Sequence, residues 1–247
     1  MGSPVASLAM YPFAHLRDAT DRLWQAVRVR LDDGPHTLEW SVVTPEVWSH
    51  PDLLVAQTCG WPLATEYADR LCVIGAFDYD VPGAVDGTYC SVIITNDPNA
   101  SLAELRARPG VVAAINSTDS LSGRVSLEHV WGGLSSVVST GAHAESIRAL
   151  VDGRADVASI DAVTWALIGD FDPTLVAGLR VIGAGPRVGC LPLVTRLARA
   201  ADVPRFREAF TAAVSDPAIA AELRLMRIRG FVPKDLADYL PVRALVG

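Results

Sequence analysis

The chain has 247 residues, half of them hydrophobic, with a mean hydropathy of +0.28 and a net charge of −7 from 21 Lys+Arg against 28 Asp+Glu. That length supports one or two compact domains with real cores, and an acidic balance without any basic run argues against general nucleic-acid binding. No stretch reaches the roughly 18 to 20 consecutive apolar residues of a membrane span.

The first residues, MGSPVASLAMYPFAH, carry no basic group ahead of a short apolar segment, so no secretory leader is expected within them. Val5–Met10 reads as a short buried strand. Pro12 suits a helix first turn, and Phe13, Leu16, Leu23, Trp24, Val27 and Leu31 recur at helical spacing until Gly34-Pro35. Thr37–Val43 alternates as a strand, Asp52–Gly60 and Leu71–Phe77 are apolar runs, and DYDVPGAVDGTY (78–89) is a loop. Tyr89–Asn96 is a β-branched strand. Ser101 with Glu104 opens a helix as a capping box, and Val111–Ser117 is the next strand. Segments 135–141, 143–156, 157–161 and 162–168 continue the alternation, and Leu179–Gly185 is a strand before a shorter one at LPLVT. The tail, Val203–Leu240, reads as mostly helical, punctuated by Pro217 and Gly230-Phe231.

Strands alternating with helices predict an α/β protein with mainly parallel sheets. Gly/Pro-bearing stretches at 83–89 and 183–192 divide the chain into lobe one (1–88 plus 186–247) and an inserted lobe two (92–182). Two strands crossing near 89–91 and 183–185 would form a hinge, with ligand expected in the cleft between lobes.

The stretch INSTDSLSGRVSLEHVW (115–131) places Ser117, Thr118, Ser120, Ser122 and Gly123 where a strand gives way to a helix. A helix start offers free N–H groups and the positive end of the dipole, which favour an anion without Lys or Arg. Helix capping accounts for one such residue, Asp119 or Ser120, but not for the cluster. GxxxxGK[ST] is absent, so nucleotide hydrolysis has no support. His143 and Asp161 fall at two analogous strand-to-helix junctions, where His143 suits a neutral imidazole and Asp161 either faces ligand or caps the next helix. Tyr11, Gln57, Thr58 and Cys59 follow strands in lobe one, on the side where open α/β sheets bind ligands. No GxSxG elbow supports a hydrolase triad, and no basic neighbour activates Cys59. Cys59, Cys72, Cys90 and Cys190 are scattered without CxxC spacing, which predicts free thiols and no zinc site.

Taken in order, MYPF, QTCGWPL, YCSVIIT, INSTDSLSG, TGAHAESIRALVDGRADVASIDAVTWAL and CLPLVT resemble the phosphate/phosphite/phosphonate substrate-binding family of ABC transporters, which has the two-lobed type 2 periplasmic-binding-protein fold. The family's anion-holding Ser-Thr-Ser-Gly falls on Ser120, Leu121, Ser122 and Gly123, with Leu121 replacing a hydroxyl. Its His falls on His143 and its first-lobe Tyr on Tyr11, while Asp161 stands for the acidic residues that hold an amino group. The QTCG stretch is similar to short stand-alone members. The resemblance implies a non-catalytic binding protein for a small oxyanion, phosphonate- or phosphate-like, that closes by hinge motion, needs no cofactor or metal and serves an ABC permease. It places the protein in the periplasm, or otherwise outside the cytoplasm, if a leader was trimmed, and in the cytoplasm if not. The alternative is a cytoplasmic enzyme of the same fold, acting on a small carboxylate or pyrimidine precursor through His143, Asp161 or Cys59. A third reading is a sensory ligand-binding module.

Overall fold

The computed structural model describes residues 2–41 and 44–246. Its elements, in order, are β1 (Val5–Ser7), α1 (Arg17–Arg28), α2 (Thr44–Ser49), β2 (Leu53–Gln57), α3 (Gly60–Thr65), β3 (Leu71–Tyr79), β4 (Thr88–Thr95), α4 (Leu102–Ala107), β5 (Ala113–Ile115), α5 (Ser126–Trp131), β6 (Val137–Ser139), α6 (His143–Val151), β7 (Val157–Ile160), α7 (Ala162–Phe171), α8 (Pro173–Val176), β8 (Arg180–Gly189), β9 (Pro192–Arg196), α9 (Val203–Val214), α10 (Ala220–Leu225) and β10 (Ile228–Pro233). They form two compact units. One comprises the residues up to Asp80, Val85–Gly87 and Gly189–Pro241, and the other Val81–Ala84, Thr88–Val188 and the residues from Val242 on.

The first unit is built on a five-stranded sheet of order β1-β2-β9-β3-β10. Every residue of β2 is buried, and Leu53, Leu63, Leu71, Val73 and Val194 form a core with Trp48, Tyr67 and Tyr239. Helix α1 turns Ala19, Thr20, Leu23, Trp24 and Val27 inward, an apolar stripe at helical spacing. Thr37–Ser41, expected as a strand, is irregular, and Val42 and Val43 lie outside the described residues. Glu39 N–H bonds Ala6 O of β1 at 2.7 Å, but the Ser41 amide, which a ladder would use, goes with its hydroxyl to Glu39 Oε1, and the Trp40 indole is held by Asp21. The tail also departs from expectation, because Gly230-Phe231 lies inside β10, antiparallel to β3. Phe231 stacks on Phe210 of α9 at 5.6 Å, and Gly75 of β3 leaves the room its ring needs.

The second unit has the sheet order β6-β5-β7-β4-β8. Ile93, Val111, Ala113, Leu127 and Val157 form a core flanked by Leu102 and Ile182. The capping box of α4 is present, with Glu104 N–H on Ser101 Oγ and Ser101 N–H on Glu104 Oε2. Expected as mainly parallel, the sheets are mixed: β1-β2, β5-β6 and β5-β7 are parallel, whereas β2-β9, β3-β9, β3-β10 and β4-β7 are antiparallel. Strands β9 and β10 enter the first sheet against β3, so helical crossovers do not govern its pairing.

The parallel trio β6, β5 and β7 is what positions chemistry. Their C-terminal ends share one edge, and each runs directly into the start of a helix or turn. That edge collects polar groups from three separate stretches of sequence. Among the described residues no helix is long and apolar enough to cross a membrane.

Candidate anion-binding site

After β5 the chain passes Asn116 to Asp119 and enters a π-helical turn, Leu121–Val125, that continues into α5. The wider turn is defined by Val125 N–H on Ser120 O at 3.0 Å, and π-turns recur at functional sites because they re-aim side chains. Ser120 caps it, accepting the Gly123 N–H on Oγ at 2.9 Å. The Gly123 amide, expected to face an anion, is therefore held internally in this structure. Ser120 keeps its own hydroxyl hydrogen to donate, and helix geometry leaves the Leu121 and Ser122 amides without intrahelical acceptors. Ser122 is 8% exposed, and its carbonyl is fixed by Ser159 Oγ at 2.6 Å.

His143 begins α6, just after the turn that follows β6. That turn is tied to β5 by Thr140 N–H on Ile115 O and Gly141 N–H on Asn116 O, both 2.9 Å. The tie brings His143 Nε2 within 2.8 Å of Ser122 Oγ. Asp161, at the end of β7, caps α7: Oδ1 accepts the Val163 and Thr164 amides at 3.1 and 2.9 Å, and Oδ2 accepts the Thr164 hydroxyl. Its Oδ2 also lies 3.6 Å from His143 Nε2, too long for a hydrogen bond but close enough for electrostatic attraction. Burial holds His143 below the usual imidazole range, against the opposing pull of Asp161, so the ring is neutral. Its Nδ1 is buried with no hydrogen-bond partner among the described residues.

Ser122, His143 and Asp161 thus meet, but not as a nucleophile-activating relay. Such a relay needs the carboxylate on Nδ1 and the serine on Nε2, whereas both face Nε2 here. The nearby guanidinium of Arg124 is engaged by Glu128 and by Thr118 O, and Thr118 itself is exposed. What remains is a set of uncharged donors around a neutral imidazole. Among the described residues no His/Cys/Asp/Glu cluster suits a metal ion, and none of the four cysteines forms a disulfide.

In the first unit, Gln57 Nε2 donates to Tyr79 OH at 3.2 Å, and the Tyr11 ring packs edge-on against Tyr79 at 5.9 Å. Thr58 is buried with Oγ1 lacking a hydrogen-bond partner among the described residues, and Cys59 precedes α3. Gln57 and Tyr11 are therefore joined through Tyr79, which sequence reasoning missed; its position at the end of β3 was the available signal. Asn116 and Ser159 were missed in the second unit. A shallow cavity of the first unit, lined by Trp48, Asp69, Arg70 and Arg196, contains none of the expected residues. Its arginines are engaged by Asp69, the Tyr67 ring and His50 O.

Comparison with known proteins matches residues 54–239 to the family model described as ABC transporter, phosphonate, periplasmic substrate-binding protein. A search of curated proteins gave no match. Among solved structures, PhnD1 from Prochlorococcus marinus (MIT 9301) in complex with methylphosphonate is similar at a TM-score of 0.78 and 14% identity, over 98% of this chain and 96% of that one. A binding-protein component of an ABC phosphonate transporter from Pseudomonas aeruginosa gives 0.77 at 15% identity, over 99% and 86%. A Xanthomonas citri protein bound to ATP gives 0.66 at 17%, over the whole of both chains. At such identities the structures establish the two-lobed periplasmic-binding-protein fold, while the match over 54–239 establishes kinship: the chain belongs to the phosphonate-binding family of periplasmic substrate-binding proteins, whose role is to bind solute for ABC-type uptake.

Proposed function

We propose that the second unit of this protein binds a small tetrahedral oxyanion, phosphonate- or phosphate-like, at the joint edge of β5, β6 and β7. The observation that carries the reading is the 2.8 Å contact of Ser122 Oγ with a neutral, buried His143 beside a helix start. Uncharged donors and helix-terminal amides stabilise an anion at short range without a fixed cation, and they release it more readily than an arginine clamp does. Ser120 and Ser122 donate hydroxyls, the Leu121 and Ser122 amides face the charge, and His143 donates its Nε2–H to Ser122 Oγ, which leaves that hydroxyl's hydrogen for the ligand. Gly123 supports the turn, with its own N–H held by Ser120.

Tyr11 is assigned to the same ligand by the family resemblance, as is hinge bending near 89–91 and 183–185, and Gln57, Thr58 and Cys59 by their place at the C-terminal end of a first-unit strand. Asp161 holds α7 and sets the charge beside His143, which favours ligands that bring a proton or an amine. Family kinship supports an extracytoplasmic location and a permease as partner.

Titration calorimetry with methylphosphonate, inorganic phosphate and ATP tests the reading, the last because a protein of this fold holds it. Methylphosphonate or phosphate should bind, unconverted, and Ser122→Ala should weaken binding roughly ten- to hundredfold, as expected for a lost hydrogen bond to a charged group. Unaltered affinity in Ser122→Ala, or conversion of the ligand, would overturn it.

A further inference from the structure

Asn116, the first residue after β5, joins the two halves of the anion site. Its carbonyl accepts the Gly141 N–H at 2.9 Å, which anchors the turn leading to His143. Its side chain lies against the serine turn: a Cβ built on Gly123 would stand 1.9 Å from Asn116 Oδ1 and 3.2 Å from Ser120 Oγ. Gly123 is therefore open to the Asn116 carboxamide, and the carboxamide and the Ser120 hydroxyl flank one spot at the mouth of the turn.

That carboxamide makes no hydrogen bond among the described residues. Oδ1 is buried without a partner, whereas the Nδ2 end reaches solvent with both N–H groups unused. An unpaired buried amide oxygen costs free energy, about 1 to 3 kcal/mol for a neutral group. A short Asn in a tight turn normally bonds its own backbone, and this one does not. The arrangement makes sense when the donor end has a ligand to meet.

We propose that Asn116 is a ligand-binding residue, its Nδ2 donating to the same oxyanion held by Ser120 and Ser122. The assignment rests on the oxyanion reading above. An amide is suited to this place because it supplies two N–H donors without charge. The isosteric carboxylate would set a negative group against the bound anion, a like-charge contact at short range.

The test is titration of methylphosphonate and inorganic phosphate into wild type, Asn116→Ala, Asn116→Asp and Ser122→Ala, with thermal unfolding of each. Asn116→Ala should weaken binding about tenfold and Asn116→Asp about a hundredfold or more, from a lost donor and an added repulsion respectively. Should Asn116→Asp fail to fold, Asn116→Ala decides alone. Wild-type affinity in a folded Asn116 variant, with Ser122→Ala impaired, would overturn the assignment and leave the oxyanion reading standing. Wild-type affinity in Ser122→Ala as well, or no binding of either probe by the wild-type chain, would remove both.

Discussion

His143 turns one ring nitrogen, Nε2, toward both Ser122 Oγ at 2.8 Å and Asp161 Oδ2 at 3.6 Å, while Nδ1 is buried with no hydrogen-bond partner among the described residues. In a catalytic triad a carboxylate orients the ring through Nδ1 while Nε2 exchanges the proton with the serine, and here serine and carboxylate both lie on Nε2. The geometry lacks the orienting bond on Nδ1 that a triad uses.

The same burial sets a pH dependence. Desolvation holds the imidazole below its ordinary value of 6.5, and Asp161 opposes this only in part. Above that pH both folded and unfolded chains carry a neutral ring, and His143 contributes nothing to the pH profile. As pH falls through 6.5 the unfolded chain binds a proton that the native chain refuses, so stability falls with acid. One such proton is worth at most about 1.4 kcal/mol per pH unit. Urea unfolding of wild type and His143→Gln between about pH 5 and 8 should show a shallower acid limb in the variant. Parallel profiles would mean that the ring is not held neutral.

Asp161 should prove structural first. Its carboxylate accepts two amides and a hydroxyl at the start of α7, so Asp161→Ala removes a helix cap and should destabilise the protein by about 1 to 2 kcal/mol. Asp161→Asn keeps a capping oxygen and should recover most of that loss. Equal stabilities of the two variants in chemical denaturation would rule the cap out as the residue's main contribution.

How far the sequence carried the reading varies with the kind of interaction. The α4 capping box, the inward stripe of α1 and the buried run of β2 follow local rules, and they appear where those rules place them. Thr37–Ser41 alternates like a strand, yet the Glu39 side chain takes the Ser41 amide, a competition that periodicity does not register. The strand at Ile228–Pro233 contains Gly and Arg and has no clear alternation; it exists because β3 offers an edge. At the site, the hydroxyl cluster was visible as composition, but the contact of Ser122 with His143 spans 21 residues and depends on the pairing of β5 with β6. Gly123 counts among the anion-holding positions in the sequence, whereas the structure sets the Asn116 carboxamide against it. Asn in a turn is too common for its sequence position to mark it out.

Gly75 tests the unexpected strand. A Cβ there would lie 2.3 Å from Phe231 Cζ and 2.6 Å from the Val232 carbonyl, in the packed interface of β3 with β10. The carbonyl belongs to the ladder and cannot rotate away, so Gly75→Ala must displace β10. The expected cost is about 1 to 3 kcal/mol, and shortening the ring with Phe231→Leu should relieve only part of it. A Gly75→Ala protein as stable as wild type would mean that β10 is not seated as described.

Gly123→Ala probes the joint between the serine turn and the strand end. The backbone at Gly123 is not in the left-handed region, so alanine meets no conformational penalty there, and its effect is steric. With Asn116 Oδ1 1.9 Å from the new methyl, the carboxamide has to leave its place, at a cost of about 1 to 3 kcal/mol in stability. In an Asn116→Ala background the obstructing amide is gone, and the same methyl enters vacated space. The two substitutions should therefore be non-additive, the double variant being more stable than the sum of single losses implies by about 0.5 to 3 kcal/mol, as for residues in direct contact. Denaturant unfolding of the four proteins in this cycle measures the coupling, and simple additivity would show that Asn116 does not rest on Gly123.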